Sequence, residues 1–387
     1  MAEGLLADCA VPDLGSGLPV VLSEPGDAPD LVARLLAGLG PAAPAAVLLF
    51  ASPATDLPGL AAGLHAGLGG ATVIGCSSAG EFACDGYGTG RVVAVGLPAS
   101  HFRTEAIWLK PLSGLAVSDW MADLRALLTR FEGQPHRHRF GLLLIDGLSR
   151  QEELVAATVD AVAHRLPVLG GSAGDGLRFA ETCLVLDRDS HPDSAIFAVV
   201  ETDFALEQVV FDHFSPSGER MVVTAAVPEE RLILEINAEP AAEEYARLIG
   251  LPVQALNPRS FAENPLLVRM GGQYHVRAIR EVTPEGGLTL MSSIETGVLL
   301  ALGRADDLTH GFEARLQALG RRPVLILAFD CILRRLALEQ AGLEPAVARI
   351  FADWRIAGFN TYGEQHGGVH VNQTFVGLAL MRPDHAA

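Results

Sequence analysis

A strand–helix–strand unit that ends in a glycine-hinged polar loop occurs three times in this chain, and no other feature of the sequence limits the fold as much. The first copy opens with the apolar run Val47-Leu48-Leu49-Phe50, continues through a helical pattern over residues 57–68, and closes with a strand over 71–74 that runs into Gly75-Cys76-Ser77-Ser78-Ala79-Gly80-Glu81. The second opens with Gly141-Leu142-Leu143-Leu144-Ile145-Asp146, has a helical pattern over 151–165 and a strand over 167–169, and ends in Gly170-Gly171-Ser172-Ala173-Gly174-Asp175. The third opens with Val324-Leu325-Ile326-Leu327-Ala328-Phe329, is helical over 333–354 and extended over 355–357, and ends in Gly358-Phe359-Asn360-Thr361-Tyr362-Gly363-Glu364. The first and third endings align without a gap; the second is one residue shorter and ends in Asp.

Strands that are apolar throughout are buried on both faces, and strands joined by helices build sheets that the helices cover. A unit repeated at this level is a structural repeat. Further extended stretches at 91–97, 182–186, 195–200 and 221–226 read as antiparallel additions, so mixed sheets are expected. Near 231–237 the pattern changes to a strand, an Asn237-Ala238-Glu239-Pro240 turn and a helix over 241–248. The reading is a two-domain α/β protein with internally repeated units. It has a lead-in over 1–40 that holds a short helix near 31–39, an N-terminal domain over 41–232 and a C-terminal domain over 233–382. The length of 387 residues suits two domains at roughly 150 residues each.

Composition excludes several classes of function. Lys and Arg number 28 against 46 Asp and Glu, for a net charge of −18. A surface this acidic repels nucleic acid and anionic lipid. The hydrophobic fraction of 49% comes in strand-sized runs, far short of the ~20 residues that cross a membrane, and the N-terminus has no secretory signal pattern. A cytoplasmic location is the expectation. The five cysteines (Cys9, Cys76, Cys84, Cys183, Cys331) are odd in number and form no CxxC pair, which argues against a disulfide framework or a structural zinc site.

The glycine loops are candidates for ligand binding. A loop at the C-terminal end of a strand is where α/β sheets hold ligands, and glycines such as Gly171 let a ligand approach the backbone. Ser77, Ser78, Ser172, Asn360, Thr361 and Tyr362 supply polar side chains there. Glu81, Asp175 and Glu364 could take a cationic group. The opposing reading is a set of tight turns capped by their own side chains. Arg277, Arg334 and Arg335 are candidate partners for an anion; surface ion pairs are the plain alternative. Gly170-Gly171-Ser172-Ala173-Gly174 also fits the Gly-x-Ser-x-Gly pattern of a serine hydrolase, but Asp175-Gly176 breaks the helix that should follow. Cys76 has no identifiable histidine partner. His366 and His370 are four apart, as metal ligands on a helix would be, yet Gly367-Gly368 stand between them.

Several of these segments resemble the FIST family, which has an N-terminal and a C-terminal FIST domain. The first is similar at residues 74–81 and 170–176. The second is similar at 234–250, 274–277, 329–335 and above all in Ala357-Gly358-Phe359-Asn360-Thr361-Tyr362-Gly363-Glu364-Gln365-His366-Gly367-Gly368-Val369-His370-Val371-Asn372-Gln373-Thr374. The resemblance covers the chain from about residue 40 to 380. Residues 329–335, 170–179 and 370–374 look closest to the nitric-oxide-sensing, NosP-like group.

That resemblance implies a sensory protein, not an enzyme. It would bind haem b, sense nitric oxide at the iron and regulate a partner histidine kinase in a two-component system; a homodimer stays open. Other members are thought to bind amino acids or similar small molecules without haem. Haem iron needs an axial ligand such as neutral imidazole. Of twelve histidines, His136 and His138 sit in a polar loop, His385 in the tail and His164 on a helix. His213, His275, His366 and His370 stand in strand or glycine contexts. His213 is the favoured iron ligand because Phe211 and Phe214 flank it. A hydrogen-bonded structural histidine is the ordinary alternative for each.

Overall fold

The computed structural model describes residues 14–132, 137–270 and 272–382; Cys9, His136 and His385 lie outside the described residues. The described residues form a two-domain α/β protein with three six-stranded mixed sheets and one eight-stranded sheet.

The repeat is longer than the sequence pattern suggests. Each copy runs strand, helix, strand, helix, strand, hairpin, strand. In the first these are Val20–Pro25, Leu31–Leu39, Pro44–Ala51, Leu57–Gly67, Thr72–Ser77, the hairpin Glu81–Ala83 with Gly86–Gly88, and Arg91–Pro98. In the second they are Phe102–Leu109, Val117–Thr129, His138–Ile145, Glu152–Ala163, Val168–Ser172, the hairpin Leu184–Leu186 with Asp189–Ser190, and Ala195–Thr202. The third begins with Ala205–Phe211 and resumes at His310–Gln317. It continues through Leu325–Cys331, the helices Ile332–Gln340 and Glu344–Trp354, Ile356–Thr361, the hairpin Glu364–His366 with Val369–Val371, and Phe375–Met381.

Pairing is the same in all three. The last strand lies between the first and second and is antiparallel to both, while the second and third strands run parallel. The hairpins are exchanged. That of the first repeat pairs with the third repeat's Ile356–Thr361, that of the second with the first repeat's Thr72–Ser77, and that of the third with the second repeat's Val168–Ser172. The inner faces of the three sheets share one core that includes Phe50, Phe102, Phe140, Phe204, Phe329 and Phe359, and the helices cover the outer faces.

The third repeat is interrupted by a second domain over residues 214–305. It contains the eight-stranded sheet and the helices Ala241–Ile249 and Pro258–Glu263. The expected boundary between 232 and 233 falls inside this sheet, within the strand Leu232–Ile236, which pairs with Phe214–Val227. The turn chemistry read at Asn237 is present: Asn237 and Ala238, at φ 55° and 65°, join Ile236 to its partner Glu239 as a two-residue hairpin turn.

The recurrent glycines have a packing cause. Gly75, Gly170 and Gly358 stand opposite Leu49, Leu143 and Ala328 in the three parallel strand pairs. A Cβ on Gly170 or Gly358 would lie 1.7 Å from the carbonyl oxygen of Leu143 or Ala328, and one on Gly75 2.7 Å from that of Leu49. Main chain cannot move aside as a side chain can. Gly170→Ala or Gly358→Ala is therefore expected to destabilise by about 3 kcal/mol or more. Urea unfolding would show a lower midpoint; an unchanged midpoint would mean that the strand pair spreads freely.

Candidate functional site

The three glycine loops meet in the middle of the repeat body and bind one another. The Ala79 amide donates to the Asn360 carbonyl at 2.9 Å and the Asn360 amide to that of Gly80 at 2.7 Å; the Gly174 amide donates to Ser77 O at 3.1 Å and the Ser172 amide to Gly363 O at 2.8 Å. Their side chains are engaged as well. Ser77 Oγ accepts from the Cys183 amide, and Ser172 Oγ accepts from Gln365 Nε2 at 2.8 Å. Ser78 donates to Glu81, Thr361 to Glu364 and Tyr362 to Asp175. Asn360 accepts from Arg335 and donates to the Asp330 carbonyl. A Cβ on Gly171 would press on Thr361.

The carboxylates of these loops close the hairpins behind them. Glu81 accepts from the Arg91 amide at 3.1 Å and Glu364 from the Thr374 amide at 3.2 Å, each spanning ten residues; Asp175 accepts the amides of Phe179, Ala180 and Glu181. Burial pushes Glu81 and Glu364 above the ordinary carboxylate range, whereas hydrogen bonds from Tyr362 and three amides outweigh burial at Asp175 and lower it. The capped-turn reading thus describes these residues, and all of these side chains are buried. Arg334 is enclosed as well. It pairs with Asp330 at 2.8 Å and lies over the rings of Phe211, Phe312 and Phe375.

An open site lies in the inserted domain. Leu266–Met270 pairs with Leu299–Ala305 only from Leu266 to Val268; beyond that the two strands part. A cleft of about 740 Å³ occupies the fork, with Val268, Met270, Ile294, Val298, Leu299, Leu300 and Ala301 as its apolar wall and Glu153, Arg220, Arg269, Tyr274, Arg277, Ser293 and Glu295 as its polar groups. Of the residues singled out from the sequence as ligand-binding, Arg277 alone lines it. Glu153, Arg220 and Arg269 had no local pattern to mark them, because they reach one place from separate elements.

Arg277 is 7% exposed and weakly held. Nη1 reaches the carbonyls of Val276 and His370 at 3.4 and 3.5 Å, Nη2 reaches Met270 Sδ at 3.7 Å, and Nε has no partner. These distances are at or past the limit of a good hydrogen bond. Burial lowers its pKa, yet a guanidinium stays charged at neutral pH. A buried cation without strong acceptors is a site prepared for an anion.

Beside it, Glu152 and Glu153 start the second repeat's helix Glu152–Ala163, and Arg231 of the inserted domain donates to both. The Ser293 amide donates to Glu153 at 2.7 Å. Burial pushes Glu152 up to about 7 against the pull of Arg231. At Glu153 burial is outweighed by cations, His370 and then Arg231, and its pKa is lowered. His370 is neutral above about 4, so Arg231 is the cation that holds Glu153 at neutral pH.

The candidate histidines are dispersed. His370 is buried, with Nδ1 3.2 Å from Gln365 Nε2 and Nε2 without a partner. On its hairpin, Gln365 pairs with His370 and His366 with Val369, so His366 and His370 face opposite sides and cannot share a metal. His275 and His366 have ring centres 6.1 Å apart. His213 lies in the link to the inserted domain, its ring against Phe214, with Nδ1 buried and unpartnered. Burial and Arg334 lower it to about 3, leaving the neutral imidazole that iron ligation requires. No histidine lines the cleft, so the cleft does not fit a histidine-ligated haem; a buried neutral imidazole with an unpartnered nitrogen is present at His213 and at His370. No group of three or more metal-ligating side chains occurs among the described residues, and no helix among them is long and apolar enough to cross a membrane.

Comparison with known proteins adds two findings. A family model described as the FIST N domain matches residues 45–239, and one described as the FIST C domain matches residues 241–366. No curated protein matches the chain.

The depressed histidines make stability depend on pH. The folded pKa of His370, about 4, lies below its ordinary 6.5, so its contribution is present above 6.5 and is lost as pH falls toward 4. The stability difference between the wild type and His370→Gln should shrink by on the order of 3 kcal/mol between pH 7 and pH 4, measured by urea unfolding at each pH. A constant difference would mean that the buried imidazole does not titrate in this way.

Proposed function

The chain belongs to the FIST family, whose domains are signal-transduction sensor domains that bind small ligands, and on that premise we propose that it senses a small carboxylate-bearing molecule in the cleft of the inserted domain, held by Arg277. The observation that carries this reading is the buried Arg277 guanidinium with its free Nε and weak acceptors. A carboxylate there would gain a two-bonded, charge-assisted contact in a desolvated setting. The apolar wall would bury the rest of the ligand, in a cleft whose volume suits a small molecule.

The cleft lies where the inserted domain meets the repeat body. Glu153 of the body lines it, and the Arg231 contact to Glu152 and Glu153 crosses the junction beside it. A ligand that favours one arrangement of this junction would shift the population toward it and so change the surface offered to a partner such as a histidine kinase. We read the protein as a binding module and not an enzyme. Ser172, the serine of the Gly-x-Ser-x-Gly pattern, is 0% exposed and takes a hydrogen bond from Gln365, which supports a structural role.

A second reading, haem b with nitric oxide as the signal, is favoured by one observation: the neutral, unpartnered, buried Nδ1 of His213. His213 would hold the group, and the iron would supply the nitric-oxide-binding position.

The test of the first reading is thermal unfolding of the full chain with acetate, succinate, L-glutamate or L-leucine at millimolar concentration. A carboxylate at 100 times its Kd should stabilise by about 2.7 kcal/mol. Arg277→Gln, still folded by circular dichroism, should lose that gain. Stabilisation that survives the substitution would remove Arg277 from the site. For the second reading, haem-reconstituted wild type should show a stoichiometric Soret band that nitric oxide shifts, and His213→Ala should lose it. A band retained in that variant would exclude His213 as ligand.

A further inference from the structure

The cleft's charge is opposite to that of the chain. In a molecule of net charge −18, three arginines, Arg220, Arg269 and Arg277, line this one site beside only two carboxylates, Glu153 and Glu295. Neither Arg220 nor Arg269 forms an ion pair among the described residues, and both are exposed. Both oxygens of Glu153 are engaged, one by the Ser293 amide and the other by Arg231. Glu295 is exposed. The site thus offers a buried cation with no carboxylate hydrogen-bonded to it, while the nearby Glu153 is already engaged on both oxygens by other donors.

This bears on the ligand's second functional group, and it rests on the carboxylate reading above. An amino acid brings its ammonium within two bonds of its carboxylate carbon. With the carboxylate on Arg277, that ammonium would stand near a like charge. It would also lose water against a wall of Val268, Leu300 and Ala301, all nearly buried, and find Glu153 already bound. An ionised group left without an acceptor is costly to desolvate. We propose that the cleft binds a carboxylic acid with an apolar tail and no α-ammonium group, and that it discriminates against the amino acid that carries the same tail.

The experiment is isothermal titration of the full chain at pH 7 with two matched pairs, 3-phenylpropanoate against L-phenylalanine and 4-methylpentanoate against L-leucine. Each pair differs only in the α-ammonium group. At least one acid should bind 10-fold or more tightly than its amino acid, and Arg277→Lys, which keeps the charge but loses the fork, should weaken it by 10-fold or more. An amino acid that binds as tightly as its deaminated partner, with the same dependence on Arg277, overturns this inference and leaves the carboxylate reading standing. Acid binding that ignores Arg277→Lys and Arg277→Gln overturns both. If neither pair binds while succinate does so through Arg277, only the apolar-tail inference falls.

Discussion

In each repeat the glycine-bearing strand pairs on one side with its parallel neighbour and has its other edge satisfied by a hairpin from a different repeat. An open edge exposes unpaired amides and carbonyls that other chains can capture. Here the three edges are closed in a cycle, first into third, second into first, third into second. No repeat completes its own sheet. The shared aromatic core, in which Phe50 stacks on Phe359 at 4.7 Å and meets Phe329 edge-on, also joins residues from different repeats. The three sheets therefore depend on one another through main-chain hydrogen bonds as well as side-chain packing.

That closure explains why the glycine loops do not present their polar groups to a ligand. To pass a hairpin from one sheet to the next, each loop must run through the centre of the body, where unmatched donors and acceptors are costly. Ser78 with Glu81 and Thr361 with Glu364 are the same device in two repeats, an i to i+3 hydrogen bond whose carboxylate also ties down the amide ten residues from it. Asp175 does the equivalent with three amides and Tyr362. The motif that recurs most plainly is thus one of assembly.

The cleft lies instead in the inserted domain, which repeats nothing. Its sheet forks, and the fork opens beside the helix start that carries Glu152 and Glu153. Arg231 fastens the two domains there, while Asn372 of the third repeat's hairpin accepts from Ser292 and pairs in a bridge with Val276. Arg277, next to Val276, touches the cleft and the His370 carbonyl together. Gln365, facing His370, continues the contact to Ser172 in the body's centre. The cleft is in this way connected by direct contacts to the point where the three loops meet.

The α/β class, the three units, the antiparallel additions and the short helix Leu31–Leu39 were all legible in the sequence, because each follows from local apolar periodicity and turn chemistry. So was the FIST resemblance, and Arg277 within it. The exchange of hairpins was not legible, since a hairpin's own sequence does not say which open edge it will satisfy. The interruption of the third repeat was hidden for a similar reason: Ala205–Phe211 joins Phe375–Met381 across more than 150 residues, and only the sheet shows that they are neighbours. The sequence alone also placed the loop serines and glutamates on equal terms with Arg277, because a polar side chain in a glycine loop reads the same whether it meets a ligand or its own backbone. Tertiary structure separates the two. It supplies partners for every loop carboxylate, and it leaves the Arg277 guanidinium buried without a strong one.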